Sequence, residues 1–226
     1  MSSHYKSLAR RTNPETIAIF PLNGAVLFPG CELPLNVFEP RYLNMVDDAL
    51  KGDRLIGMIQ TDETRENGLT GTGGLGRITQ FSETDDGRYL IVLKGLKRFH
   101  YKGDAEVKTP YRQAHIDFTA FESDPDTHDP KSIPEALSDP GGSGRAALTA
   151  AMKAFAKSLS VQVDWDSLSE IALPQLVNQT AMISPFKPAD KQSLLEADNG
   201  DDRRRLLTGL CQLYASMDDG QRPSMN

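Results

Sequence analysis

The sequence predicts an α+β fold: the short strands of a small antiparallel barrel or sandwich, followed by a run of helices. Three observations carry this. The first half alternates apolar and polar residues in short stretches closed by Gly, Pro and Asn, the pattern of strands with one buried face. In the second half Leu148, Met152, Phe155 and Leu159 step by 4, 3 and 4 residues, one apolar stripe of a helix. Between the halves Pro125, Pro130, Pro134 and Pro140 stand among Asp124, Asp126, Asp129 and Asp139, ending in Gly141-Gly142-Ser143-Gly144, which reads as a linker or mobile loop. The expected organisation is a flexible tail over 1–15, a β subdomain over 16–121, an acidic linker over 122–144, a helical subdomain over 145–217 and a tail over 218–226.

Taken in order, Ile17–Leu22 is an apolar run closed by Pro21 and the Asn23-Gly24 turn signal. Leu33, Leu35 and Val37 alternate with Pro34, Asn36 and Phe38; proline inside that run points to an edge strand. Leu55–Ile59, Ile78–Phe81 and Tyr89–Leu93 follow, the last two joined by Asp85-Asp86-Gly87, a hairpin turn because glycine takes positive φ cheaply. Lys97–Lys102 and Tyr111–Phe118 read as two more strands. One helix interrupts the series. Glu39 precedes Pro40, a favoured first helical residue, Leu43, Val46, Ala49 and Leu50 recur at helical spacing, and Gly52 ends the run. Phe38 is placed to staple onto Leu43. In the second half Asp164 or Asp166 can cap a segment through Leu168 and Ile171, broken by Pro174 and resumed through Leu176 and Met182. Gln192–Ala197 is a short helix, and the last one opens with Asp201-Asp202 and runs to Met217.

Composition excludes several classes. The 226 residues are 38% hydrophobic and 25% charged, with a net charge of -6, so the chain as a whole offers no basic field to nucleic acid. No apolar run approaches the roughly 20 residues of a membrane span. Cys31 and Cys211 are too few and too far apart for a structural zinc site or a disulfide framework, and read as buried or half-buried thiols in a reducing cytoplasm. Arg10-Arg11 is followed by Thr12-Asn13-Pro14, not by the apolar core of a signal peptide.

Catalytic motifs fail on context. Gly71-Thr72-Gly73-Gly74-Leu75-Gly76 spells G-x-G-x-x-G, but it runs into the strand-like Arg77–Phe81, whereas a dinucleotide loop opens a helix. It reads instead as a glycine-rich turning loop. No H-R-D, D-F-G or Walker loop is present, and Gly141–Arg145 misses G-x-S-x-G at its last position. His100 and His115 could meet across neighbouring strands as a metal pair, but ordinary strand histidines are the simpler reading. The expectation is no catalytic residue, no cofactor and no metal.

One stretch does point to a function. Phe20-Pro21-Leu22, Val26-Leu27-Phe28-Pro29-Gly30, Leu33-Pro34-Leu35 and Phe38-Glu39-Pro40-Arg41-Tyr42 follow one another. The order continues with Gly71–Ile78, Gly87-Arg88, Gly95-Leu96-Lys97-Arg98-Phe99, Pro110-Tyr111, Lys191–Glu196 and Arg203–Leu207. In this order the pieces resemble the amino-terminal substrate-binding domain of Lon proteases, over about 16–217, and the free-standing bacterial members of that family. The resemblance implies a six-stranded antiparallel pseudobarrel with one inserted helix, followed by a helical bundle. It further implies a non-enzymatic cytoplasmic module for unfolded or exposed polypeptide, related to protein quality control. With no Walker loop before Asn226, the family's ATPase and Ser–Lys protease are not expected.

Glu39, Pro40, Gly95, Arg98 and Phe99 are expected to define the fold. Phe38, Arg41 and Tyr42 are the candidate polypeptide-binding residues, on an exposed helix side beside an edge strand that can accept an extended peptide. A separate protease is a candidate partner; nucleic acid and membranes are not. The alternative is a small-ligand sensor or enzyme using a cleft between barrel and helices. RNA binding would need Lys94, Lys97, Arg98 and Lys102 clustered beside exposed aromatics.

Overall fold

The strands of the first half close on themselves through an unusually long fifth strand. The computed structural model describes residues 14–122, 124 and 142–217, so the expected tails over 1–13 and 218–226 and most of the 122–144 segment lie outside the described residues. The chain divides into two units, Met1–Ser123 and Asp124–Asn226.

In the first unit β1 (Thr16–Pro21), β2 (Glu32–Val37), α1 (Pro40–Lys51), β3 (Leu55–Thr61), β4 (Leu69–Glu83), β5 (Tyr89–Asp104) and β6 (Gln113–Asp117) follow in order, with a 3-10 turn over Thr119–Phe121. The six strands run β2-β5-β4-β3-β1-β6, and β5 pairs again with β6. Five strands thus form a ring while β2 lies outside it, so the sheet is a pseudobarrel and not a regular barrel. β5 serves both neighbours by dividing its length. Tyr89–Lys94 pairs with β2, and His100–Asp104 pairs with β6. Register shifts at Leu75/Gly76, Ile78/Gln80 and Tyr101/Gly103 mark bulges, which bend the long strands around the ring.

Two expectations change here. The strands are not all antiparallel, because β1 and β3 pair in parallel, Ile19 opposite Gly57. A hairpin cannot join parallel neighbours; the crossover is the excursion through β2 and α1. The glycine motif is also not a turning loop. Gly71 to Gly76 lie inside β4, and none of them has positive φ. Their small size admits backbone instead: a methyl group on Gly74 would stand 2.0 Å from the Leu27 carbonyl oxygen, and one on Gly95 2.1 Å from that of Phe28. Val26, Leu27 and Phe28 are buried there, between β1 and β2. The two loudest motifs are therefore two sides of one contact. Ile17, Ile19, Ile59, Leu75, Phe99, Ala114 and Ile116 belong to the core beside it.

α1 starts at Pro40 after Glu39 in extended conformation and ends at Gly52, as expected. Its buried face is Tyr42, Met45 and Val46, turned from the expected Leu43 stripe. Phe38 stays 63% exposed, so no staple buries it. Two aspartates on the helix accept from barrel tyrosines, Tyr89 Oη to Asp47 at 3.1 Å and Tyr111 Oη to Asp48 at 2.9 Å.

The second unit holds α2 (Ser143–Ser158), α3 (Trp165–Ser169), α4 (Leu173–Ile183), α5 (Pro188–Glu196) and α6 (Gly200–Ser216). α2 begins two residues inside the segment read as linker. Asp164 caps α3 by accepting from the Ser167 amide, Pro174 lies in the first turn of α4, and Asn199 caps α6 through the Asp201 and Asp202 amides. The stripe residues Leu148, Met152 and Phe155 are buried with Leu207, Leu210 and Tyr214. Phe155 and Phe186 stack at 5.4 Å, with the Tyr214 ring edge-on to both. Arg203 is buried and donates to Leu194 O and Asn178 Oδ1, both at 2.9 Å, tying α4 and α5 to α6. Cys31 and Cys211 are both buried free thiols, and burial pushes the Cys211 thiol up to about 12. Among the described residues, no helix is long and apolar enough to cross a membrane.

Candidate functional site

The start of α1 and the loop between β5 and β6 form the walls of a cleft of about 500 Å³, wholly within the first unit. That volume is within the usual range for ligand sites. Arg41 and Tyr42 line it, together with Pro21, Thr61, Asp104, Val107, Thr109, Pro110, Tyr111 and Arg112. The rise of the helix from Pro40 sets the first two side chains. The Tyr42 ring packs on Phe20 at 4.3 Å, and the Arg41 guanidinium covers the Tyr42 ring at 4.5 Å. Arg41 Nε donates to Glu39 Oε2 at 2.9 Å.

The opposite wall is fixed by charge. Arg112 donates to both Asp104 oxygens, the shorter bond 2.8 Å, and to the Asn67 carbonyl at 3.2 Å. Tyr111 is buried and tied to Asp48; desolvation first, then that carboxylate, push its hydroxyl up to about 12. The Asp48 carboxyl is held low by hydrogen bonds from Lys51 and Tyr111. Tyr42 is also raised, first by desolvation, with Arg41 and Arg112 opposing. The cleft thus joins fixed polar groups with apolar lining from Pro21, Pro110 and the exposed Val107.

Of the three candidate binding residues, the cleft gathers Arg41 and Tyr42; Phe38 is not among its lining residues. The fold-defining set lies elsewhere. Glu39 and Pro40 begin α1, and Gly95 admits the Phe28 carbonyl. Phe99 and Arg98 are fully buried, the latter with its guanidinium 4.2 Å over Phe121. Asp104, Val107, Tyr111 and Arg112 were not legible as site residues. Their one signal was Pro110-Tyr111, a second motif fragment with no indication that it meets the first.

Other candidates are dispersed. His100 lies opposite Asp117 and His115 opposite Gly103, so the two histidines do not pair across the strands. Lys94 pairs with Glu32 at 3.6 Å, and Lys97 lies over the buried Phe118 ring. With Arg98 buried, these cations do not form the patch beside exposed aromatics that RNA binding required. Among the described residues no group of His, Cys, Asp and Glu is arranged to hold a metal ion. Among the described residues β2 is an edge strand, paired only with β5. Pro34 at its centre has no amide hydrogen to offer an added strand, which favours the cleft over that edge as a binding surface.

The sequence profile of the ATP-dependent protease La (LON) substrate-binding domain matches residues 16–212, and the chain belongs to that family. A Lon protease of Cytophaga hutchinsonii is 26% identical over 208 residues, 87% of this chain and 24% of that protein. Lon protease 2 of Sorangium cellulosum is 33% identical over 109 residues, 46% of this chain and 13% of that protein. The chain therefore spans a quarter or less of the length of these relatives. The N-terminal domain of a Mycobacterium avium complex Lon protease shares the fold with a TM-score of 0.61 at 16% identity, covering 87% of this chain and 97% of that one. A Lon N-terminal domain protein from Xanthomonas campestris does so with a TM-score of 0.56 at 22% identity, covering 90% and 99%.

Proposed function

We propose that this protein binds exposed or unfolded polypeptide in the cleft beside α1, without catalysis of its own, as a cytoplasmic adaptor that works beside a separate protease. One observation carries the reading: Arg41 and Tyr42 of the family-like motif line a cleft of ligand size with an apolar side at Val107 and Pro110. Arg and Tyr are enriched where interfaces concentrate their binding energy. Membership of a substrate-binding domain family supports the same direction.

The test is fluorescence anisotropy with a labelled, reduced and carboxymethylated protein that stays unfolded. The wild type is expected to bind it without nucleotide, and the Arg41→Ala/Tyr42→Ala double variant to bind at least about tenfold more weakly, a loss of about 1.4 kcal/mol. Tyr42 is packed on Phe20, so circular dichroism must show that the double variant is folded. Val107→Trp, at an exposed position, fills the cleft without touching that packing and is expected to weaken binding as well. Equal binding by wild type and Val107→Trp would remove the cleft from the account.

A further inference from the structure

The phenol of Tyr42 is set apart from the other tyrosines that tie this fold together. The hydroxyls of Tyr89, Tyr111 and Tyr214 each donate to an aspartate, Asp47, Asp48 and Asp190. Tyr42 is only 7% exposed, yet among the described residues its hydroxyl has no hydrogen-bond partner. The hydroxyl is not among the fully buried polar atoms that lack one, so what remains open on Tyr42 includes its donor. That residue lines the cleft. Beside it the Arg41 guanidinium lies over its ring, and the charge of Arg112 also reaches its phenol.

We propose that the cleft, acting as the polypeptide site inferred above, selects segments that carry an acidic side chain among apolar ones. The carboxylate accepts a hydrogen bond from the Tyr42 hydroxyl and pairs with the Arg41 guanidinium. Arg41 is available for this. Its pair with Glu39 is about half exposed on both sides, 53% and 44%, and such a pair is held by no more than about 1 kcal/mol. A guanidinium offers five N–H donors in a planar fork that matches a carboxylate, and this one lies over the Tyr42 ring beside the phenol. Arg112 supplies field and not a partner, because Asp104 and the Asn67 carbonyl occupy it. The Asp104 charge is in turn matched by Arg112, so it does not oppose an incoming acid on its own. Val107 and Pro110 offer apolar surface for the flanking side chains. Arginine side chains are the groups that read acidic motifs, whereas capture of a chain terminus uses a nest of backbone amides.

The test uses short fluorescein-labelled peptides rich in Leu and Val, amidated at the carboxyl terminus, with Glu or Gln at one central position. A third peptide carries the Gln and a free carboxyl terminus. Wild-type protein is expected to bind the Glu peptide about tenfold more tightly than the Gln peptide, the scale of a hydrogen bond to a charged group. Tyr42→Phe keeps the ring and loses the hydroxyl, and Arg41→Gln keeps the helix and loses the charge. Both are expected to shrink the ratio of Glu-peptide to Gln-peptide affinity at least threefold, a readout that a general loss of peptide binding does not move. Equal binding of Glu and Gln peptides overturns the acidic preference and leaves the polypeptide reading standing. A gain confined to the free terminus, or a preference that survives both variants, also overturns it. Binding of none of the peptides takes down both.

Discussion

Gly74→Ala is expected to abolish folding of the pseudobarrel unit or to destabilise it by at least about 3 kcal/mol, the upper range of overpacking a rigid interior. The added methyl group would stand 2.0 Å from the Leu27 carbonyl oxygen, and the Gly95→Ala methyl 2.1 Å from that of Phe28. Both obstacles are backbone, so no rotamer change relieves them. The chain around Leu27 and Phe28 would have to leave β4 and β5, exposing two fully buried side chains. Against a typical total stability of 5–15 kcal/mol, such a loss is a large fraction. Gly209→Ala is the internal control. Gly209 lies in α6 with nothing near its Cβ position, so alanine is expected to stabilise by about 0.5–1 kcal/mol through helix propensity. Urea titration followed by circular dichroism checks all three. Similar midpoints for Gly74→Ala and wild type would show that this backbone contact does not exist.

Phe99→Ala is expected to cost about 3–5 kcal/mol, as for other fully buried aromatic truncations. Phe99 is completely buried, and its ring occupies the space that two glycines leave open. A methyl group on Gly57 would lie 3.0 Å from Phe99 Cζ, and one on Gly73 2.4 Å from the same atom. The two glycines differ in a useful way. Gly73 is also walled by the Met58 carbonyl oxygen at 2.5 Å, whereas the three atoms nearest a Gly57 methyl group all belong to the side chains of Phe99 and Ile19. Gly57→Ala should therefore destabilise the wild type yet be partly compensated in Phe99→Leu, where the smaller side chain vacates its place. A double-mutant cycle by urea unfolding reads this as a favourable coupling of about 0.5–3 kcal/mol. Strict additivity would mean that the ring and the glycine do not share this volume.

These two sets of glycines also show where the sequence was informative. Alternation at Leu33, Leu35 and Val37 and the proline among them made β2 legible as an edge strand, because pleat and hydrogen bonding act locally. Pro40 and Gly52 bounded α1 for the same reason. The glycine run of β4 was not legible as a strand, since glycine carries no side chain to show a periodicity and the cause of its presence, Leu27, lies far away in sequence. Likewise, Lys97–Lys102 and Tyr89–Leu93 read as separate strands because Gly95 interrupts the pattern, yet they are one bent β5. The parallel pairing of β1 with β3 was hidden too, because alternation reports a strand's faces and not its neighbours. At the site, Arg41 and Tyr42 were visible in one motif. Tyr111 and Arg112 reach the same cleft only through ring closure by β6, and Phe38, equally conspicuous in sequence, lies just before the helix and is not among the residues lining the cleft.

The cleft's role is tested most directly by placing a small diazirine photo-crosslinking side chain, close to leucine in size so that it does not fill the cleft as Trp would, at single exposed positions of the intact protein. Val107 lines the cleft, whereas Leu90, with nearly the same exposure, belongs to the β4–β5 hairpin away from it. With an unfolded, carboxymethylated client, the account predicts crosslinks from position 107 that an excess of unlabelled peptide suppresses, and only background from position 90. Equal yields at the two positions, or crosslinks at 107 that peptide does not suppress, would contradict polypeptide binding in the cleft beside α1.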